Sequence, residues 1–300
     1  MITKELDYKD WQAFMSNNPN ATFFHTPYWY NLWARYMHGV PKAVMFKNGT
    51  IQAVLPLFVI TKYLGLRRMM VSSPMGTYGG LIWNNNNPED HHVDTTSLFN
   101  NYNNITIWSY PDNGLVYADT LEKETFHSSV LNLNYGLDSI FSRFSKNHRR
   151  NINKAKSFGF IFREAHTNDD WNKYYSLYCI SLKRWGDKAR TKYRRHIFKM
   201  IRDLPREFYK LWLLCDDTNT PIYGCLCFYY NNYIIYWHGA GDERHFNKGV
   251  SSYIHYNIIE HGVMNNHNIY DFNPSGGLEG VERFKQGFGP DVKNIYKYSK

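Results

Sequence analysis

The chain is 300 residues long, 43% apolar and 18% aromatic, which supplies a substantial core and excludes wholesale disorder. A net charge of +9 and a pI of about 9.2 favour an anionic partner: RNA, a nucleotide diphosphate, a lipid-linked phosphate or an acidic membrane surface. The opening residues lack a hydrophobic signal region and no apolar run reaches membrane-span length. The expectation is therefore a cytoplasmic protein, with room for peripheral contact with the inner membrane.

In chain order, Asp7-Tyr8-Lys9-Asp10-Trp11 begins a helix with Asp7 as its N-cap and Trp11 and Phe14 on one face. Residues 44–46 and 51–60, joined through Asn48-Gly49, form a hairpin pattern. Strands follow at 69–73, after the glycine loop 74–81, at 105–109 and at 129–133, with a polar Asn-rich loop at 84–94. Residues 137–156 then read as one basic helix. Leu137, Ile140, Phe141, Phe144, Ile152 and Ala155 fall on its apolar face, and Gly159 closes it.

The second half repeats the plan of the first. Thr167-Asn168-Asp169-Asp170-Trp171 matches the Asp7–Trp11 helix start, and the hairpin 211–215/222–230 matches the first hairpin in the same order. Helices at 170–185, 191–204 and 250–262 and strands at 233–238, 269–272 and 292–298 complete a mixed α/β pattern. Cys225 and Cys227 are two apart in a strand, which is no zinc-knuckle spacing, and with Cys179 and Cys215 they read as free thiols of a reducing compartment. The histidines show no ligand spacing, so no metal is expected.

Two segments carry a resemblance. Lys146-Asn147-His148-Arg149-Arg150-Asn151-Ile152 runs on to Gly159, and Tyr270-Asp271-Phe272 is followed by a glycine-rich loop, Gly280-Val281 and Phe284-Lys285-Gln286-Gly287-Phe288-Gly289. Together they resemble the Fem-type family, the peptidoglycan-bridge aminoacyltransferases and their FemAB-like acetyltransferase relatives. Weaker similarity at residues 22–29 and 78–80 extends this over most of the chain. The resemblance implies a tandem duplicated GNAT-like acyltransferase fold: an N-terminal domain over 1–136, a linking helix over 137–159 and a C-terminal domain over 160–300. It also implies N-acyl transfer from acyl-CoA or aminoacyl-tRNA to an amine of a cell-envelope precursor. That acceptor is a peptidoglycan stem peptide or an exopolysaccharide amino sugar, anionic or lipid-linked. The rival reading is a non-catalytic module holding RNA or an anionic precursor.

Candidate residues follow from that chemistry. Asp271, at a strand end, would orient or deprotonate the amine, or else only cap its loop. Lys285 would neutralise a phosphate or the developing oxyanion, or else snorkel from a helix face. His238 ends a strand where a donor or acceptor approaches, or is a hydrogen-bonded structural histidine. Arg244-His245-Phe246-Asn247-Lys248-Gly249 fits a GNAT-type pyrophosphate loop except for Asn247 in place of the first glycine. The competing reading is a plain helix cap. Lys146, Arg149 and Arg150 offer a basic face for tRNA or an anionic precursor, or else are only a solvated face, and Tyr78-Gly79-Gly80 lets backbone approach a substrate or another strand closely.

Overall fold

The computed structural model describes residues 2–62, 67–84, 104–110, 121–189 and 191–300. The chain divides into two units: Met1–Ser128 with Pro274–Gly277 and Val292–Lys300, and Ser129–Asn273 with Leu278–Asp291. The polar loop expected at 84–94 lies, beyond Asn84, outside the described residues.

In the first unit β1 (Ile2–Glu5) is followed by α1 (Tyr8–Ser16), in which the Asp7 carboxylate accepts the Asp10 N–H at 2.8 Å and Trp11 is buried. Thr26 caps α2 (Pro27–Met37), and Pro27 occupies the first turn, where no helical N–H is needed. The strands β2 (Val40–Asn48) and β3 (Ile51–Lys62) join through Gly49-Thr50, with Gly49 at φ +61°. Next come β4 (Arg67–Val71), β5 (Ile82–Trp83), which adds to β3, β6 (Asn104–Trp108) and the first part of β7 (Glu122–Asn132). The final strand, β13 (Asp291–Ser299), pairs antiparallel with β6. The order is β1-β2-β3-β4-β6-β13, with β4 and β6 parallel.

The second unit begins with the end of β7. The single helix expected over 137–159 is two: α3 (Leu137–Arg143) and α4 (Lys146–Lys156). Phe144 leaves the helix with an extended backbone (ψ 143°) and buries its ring, and the Ser145 hydroxyl caps α4 by accepting the His148 N–H at 3.2 Å. Neither helix is a free-standing linker, because Ile140, Phe144 and Ile152 belong to the same core as Val250, Ile254 and Ile258. Then come β8 (Ile161–Glu164), α5 (Asn168–Trp185), α6 (Arg195–Arg202), β9 (Tyr209–Cys215), β10 (Pro221–Tyr230) and β11 (Tyr233–Gly241). The unit ends with α7 (Val250–Met264), β12 (Ile269–Asp271) and α8 (Glu279–Gln286). At the start of α5, Thr167 and Asp170 cap each other reciprocally (3.1 Å both ways) and Trp171 is buried, as Trp11 is in α1.

The strand order β8-β9-β10-β11-β12-β7 repeats that of the first unit, with its parallel step, β11 to β12, in the same place. The duplicated α/β fold expected from the sequence is present. The units divide differently from the expected domains, because their closing strands are exchanged. The C-terminal β13 completes the first sheet, and residues 130–132 at the end of β7 pair with β12 in the second.

Candidate active site

Strands β11 and β12 pair over only three positions, Tyr233 with Ile269, Ile234 with Tyr270 and Ile235 with Asp271. Beyond them β12 ends while β11 continues to Gly241, so the sheet forks at the carboxyl ends of two parallel strands. Ligands of open α/β sheets enter at such ends. Within β11 the register against β10 slips between Tyr236 and His238, and Trp237 is the bulged residue.

Asp271 stands at the fork. It is 2% exposed and accepts the Asn273 N–H at 2.7 Å. Asn273 turns the chain at φ +61°, a conformation asparagine tolerates, and its side-chain oxygen is buried without a hydrogen bond. Lys285 reaches the same turn from α8 and donates to the Asn273 carbonyl at 2.7 Å while only 4% exposed. Burial pushes its ammonium down to about 8, against the opposing attraction of Asp271. The structure thus brings these two candidates to one turn.

Two histidines that sequence reasoning did not single out complete the cluster. His148 on α4 bonds the Phe284 carbonyl through Nε2 at 2.9 Å, so Nε2 carries the proton and Nδ1 accepts from the Ser252 hydroxyl at 2.7 Å. His255 on α7 is fully buried. Its Nδ1 bonds the Tyr270 hydroxyl at 2.6 Å, and its Nε2 makes no hydrogen bond. Burial holds His255 down to about 3, with the Lys285 charge acting the same way, so it is neutral at physiological pH. The sequence held one signal for His148. A Cβ on Gly287 would lie 2.3 Å from the His148 ring, and Phe288 stacks on that ring at 4.1 Å. The glycine of Lys285-Gln286-Gly287-Phe288-Gly289 is there to admit the histidine, and the two segments that carried the resemblance pack on each other.

His238 lies elsewhere. It bonds the Tyr174 hydroxyl through Nδ1 at 2.5 Å and is ringed by Tyr178, Tyr193 and Phe198 of the α5–α6 region, away from the Lys285 cluster. Burial lowers its pKa to about 3. Glu243–Lys248 form a 3-10 helix rather than an open loop, and the Asp242 carboxylate takes both the Arg244 N–H (3.0 Å) and its guanidinium (2.9 Å). Asn247 is exposed, and the Lys248 ammonium lies 5.3 Å over the Phe158 ring. Gly249, at φ +80°, caps α7 without a side-chain acceptor, and a Cβ there would lie 2.2 Å from the Asn151 carbonyl oxygen.

On α4, Lys146 and Arg150 are exposed, whereas Arg149 is half-buried and donates to the Ser142 carbonyl at 2.7 Å. Tyr78, in the first unit, is fully buried beside Phe24 and Tyr110. Gly79 and Gly80 allow close packing on the backbone of Ser72, Trp108 and Ser109, so the close approach there is to neighbouring chain. The four cysteines are free thiols. Among the described residues there is no group of three His, Cys, Asp or Glu that could hold a metal, and no helix long and apolar enough to cross a membrane.

Residues 142–286 match the family model described as an acetyltransferase (GNAT) domain. Among solved structures the chain is similar to FemX, at 11% identity and a TM-score of 0.72, with 99% of this chain and 97% of that one covered. It is also similar to a C-terminal domain from Agrobacterium fabrum described as that of a lysylphosphatidylglycerol synthetase (10% identity, TM-score 0.60, 97% and 90% covered). A tandem GNAT protein from the clavulanic acid biosynthesis pathway aligns over 100% of this chain and 98% of its own, at 9% identity and a TM-score of 0.52. No curated protein matches the sequence. By this match the chain carries a GNAT acetyltransferase domain over residues 142–286. Its fold is the Fem-like tandem one.

Proposed function

We propose that the protein moves an acyl group from an activated donor to an amine of a cell-envelope precursor, at the β11–β12 fork. The observation that carries this reading is the buried Lys285 ammonium beside Asp271 at the end of β12. The amine nitrogen attacks the ester or thioester carbonyl, and the negative charge moves to its oxygen. As the C–N bond forms and the C–O or C–S bond breaks, Lys285 stabilises the oxyanion. Asp271 orients the amine, takes its proton and returns that proton to the leaving oxygen or sulfur as it departs. Similarity to FemX and to a lysylphosphatidylglycerol synthetase domain supports an envelope acceptor: a peptidoglycan stem peptide, an exopolysaccharide amino sugar or another anionic or lipid-linked amine.

Either donor has support. The uncapped N-terminus of α7 after Gly249 suits the pyrophosphate of acyl-CoA. The exposed Lys146 and Arg150, and the internal use of the Arg244 charge by Asp242, suit an aminoacyl-tRNA. Calorimetry with CoA, run beside salt-dependent binding of charged tRNA, separates the two. Transfer of labelled acyl groups to amine acceptors tests the reading itself, and undiminished transfer by Lys285→Met would overturn it.

A further inference from the structure

Away from the fork, α5 and α6 border an open pocket of about 310 Å³ that the proposed reaction does not use. This volume lies at the small end of ordinary ligand pockets. Its apolar wall is Trp171, Tyr175 and Phe198, and its other wall is a stripe of Arg195, Lys199 and Arg202, four and three residues apart on α6. No carboxylate lines it.

Two of the three acids nearest in sequence are committed elsewhere, and the third pairs loosely with the stripe. Asp169 pairs with Lys173 at 2.8 Å and Asp170 with Arg163 at 2.7 Å, while Asp203 stands 3.9 Å from Arg202, beyond hydrogen-bond reach. The two guanidinium groups are instead positioned by neutral amides: Arg195 donates to Asn172 and Arg202 to Asn168. An amide fixes a guanidinium without neutralising it, so Arg195 and Lys199 keep like charges on one stripe at a self-repulsive cost, and Asp203 offsets Arg202 only loosely. In the aromatic wall, the Trp171 indole N–H is buried and makes no hydrogen bond, although the residue is only 5% exposed. A buried donor without a partner is costly, and an acceptor on a ligand would relieve it.

We propose that this pocket is a second ligand site, for a small molecule joining a planar ring to a phosphate, of the size of a nucleoside monophosphate. The ring stacks on Tyr175, the phosphate bridges Arg195 and Arg202, and Lys199 adds charge between them. The site is independent of the acyl-transfer reading, since none of its residues belongs to the Asp271–Lys285 turn.

The test is calorimetric titration of the full-length chain with adenosine monophosphate, uridine monophosphate, adenosine and inorganic phosphate. Both nucleotides are expected to bind saturably and more tightly than adenosine or phosphate alone. Arg195→Gln and Arg202→Gln should each weaken them about tenfold. Tyr175→Leu should weaken the nucleotides and leave phosphate unchanged, and Lys285→Met should change nothing. Circular dichroism melts check that each variant folds; Tyr175→Leu, which leaves the cationic stripe intact, keeps the test decisive if an arginine variant does not. Absence of saturable nucleotide binding overturns the proposal. So does binding that survives both arginine substitutions, or binding of single-stranded RNA with none of mononucleotides.

Discussion

The Lys285 ammonium and the Asn273 carbonyl oxygen are joined by a 2.7 Å hydrogen bond across twelve residues of sequence. The bond holds α8 to the turn that leaves β12, and it keeps a cation in a place only 4% exposed. A charge in such a place destabilises the fold unless something uses it. Lys285→Met should therefore retain or raise the melting temperature while transfer to an amine falls about a hundredfold, the usual loss for one preorganised oxyanion contact. Thermal melts and single-turnover assays on the same preparation check both halves.

The depressed pKa gives this lysine a pH signature. Its folded value is about 8 against an ordinary 10.5, so between those values the unfolded chain binds more protons than the folded one. Stability contributed by this group consequently rises with pH across that window and is level below it. Activity should run the other way, falling as pH passes about 8 and the ammonium is lost. Denaturant titrations and rate profiles from pH 6 to 10.5 read out the two trends, and Lys285→Met should flatten the stability trend.

Asp271→Asn keeps an oxygen to accept the Asn273 N–H but removes the carboxylate that holds the lysine's proton. The lysine pKa should drop further, moving the activity decline to lower pH, and the loss of the basic site should lower the maximal rate. A decline left at its original pH would mean that the two groups do not communicate.

Gly287→Ala should place a methyl group 2.3 Å from the His148 ring and force it off Ser252 and Phe284. Overpacking of this kind costs about 1–3 kcal/mol. If the ring is the obstacle, Gly287→Ala should cost much less in a His148→Ala background, and a double-mutant cycle by urea unfolding measures that coupling.

Much of this was legible in the chain itself. The Asp-Trp helix starts and the two hairpins rest on local chemistry, caps and turn glycines, which a sequence displays directly. Asp271 and Lys285 were readable because a strand-end carboxylate and a lysine flank a glycine-rich loop. His148 and His255 were not. One sits in a run of basic residues and the other in an apolar helix, and only the packing of α4 against α7 and α8 separates them from surface and core. The break at Phe144-Ser145 was also hidden, because both helices present apolar residues at a spacing that one continuous helix would satisfy. The domain boundary is not local information at all, since nothing in β7 or β13 states which sheet each will join.

The exchange of closing strands governs how such a chain can be cut. Each half of the gene encodes a sheet that lacks its closing strand and carries the one that closes the other. Deleting the final ten residues would bare the edge of β6 and, on the other side, that of β7, the neighbour of the strand that ends in Asp271. Either half expressed alone would therefore lack the strand that closes its own sheet and display one with nothing to pair with.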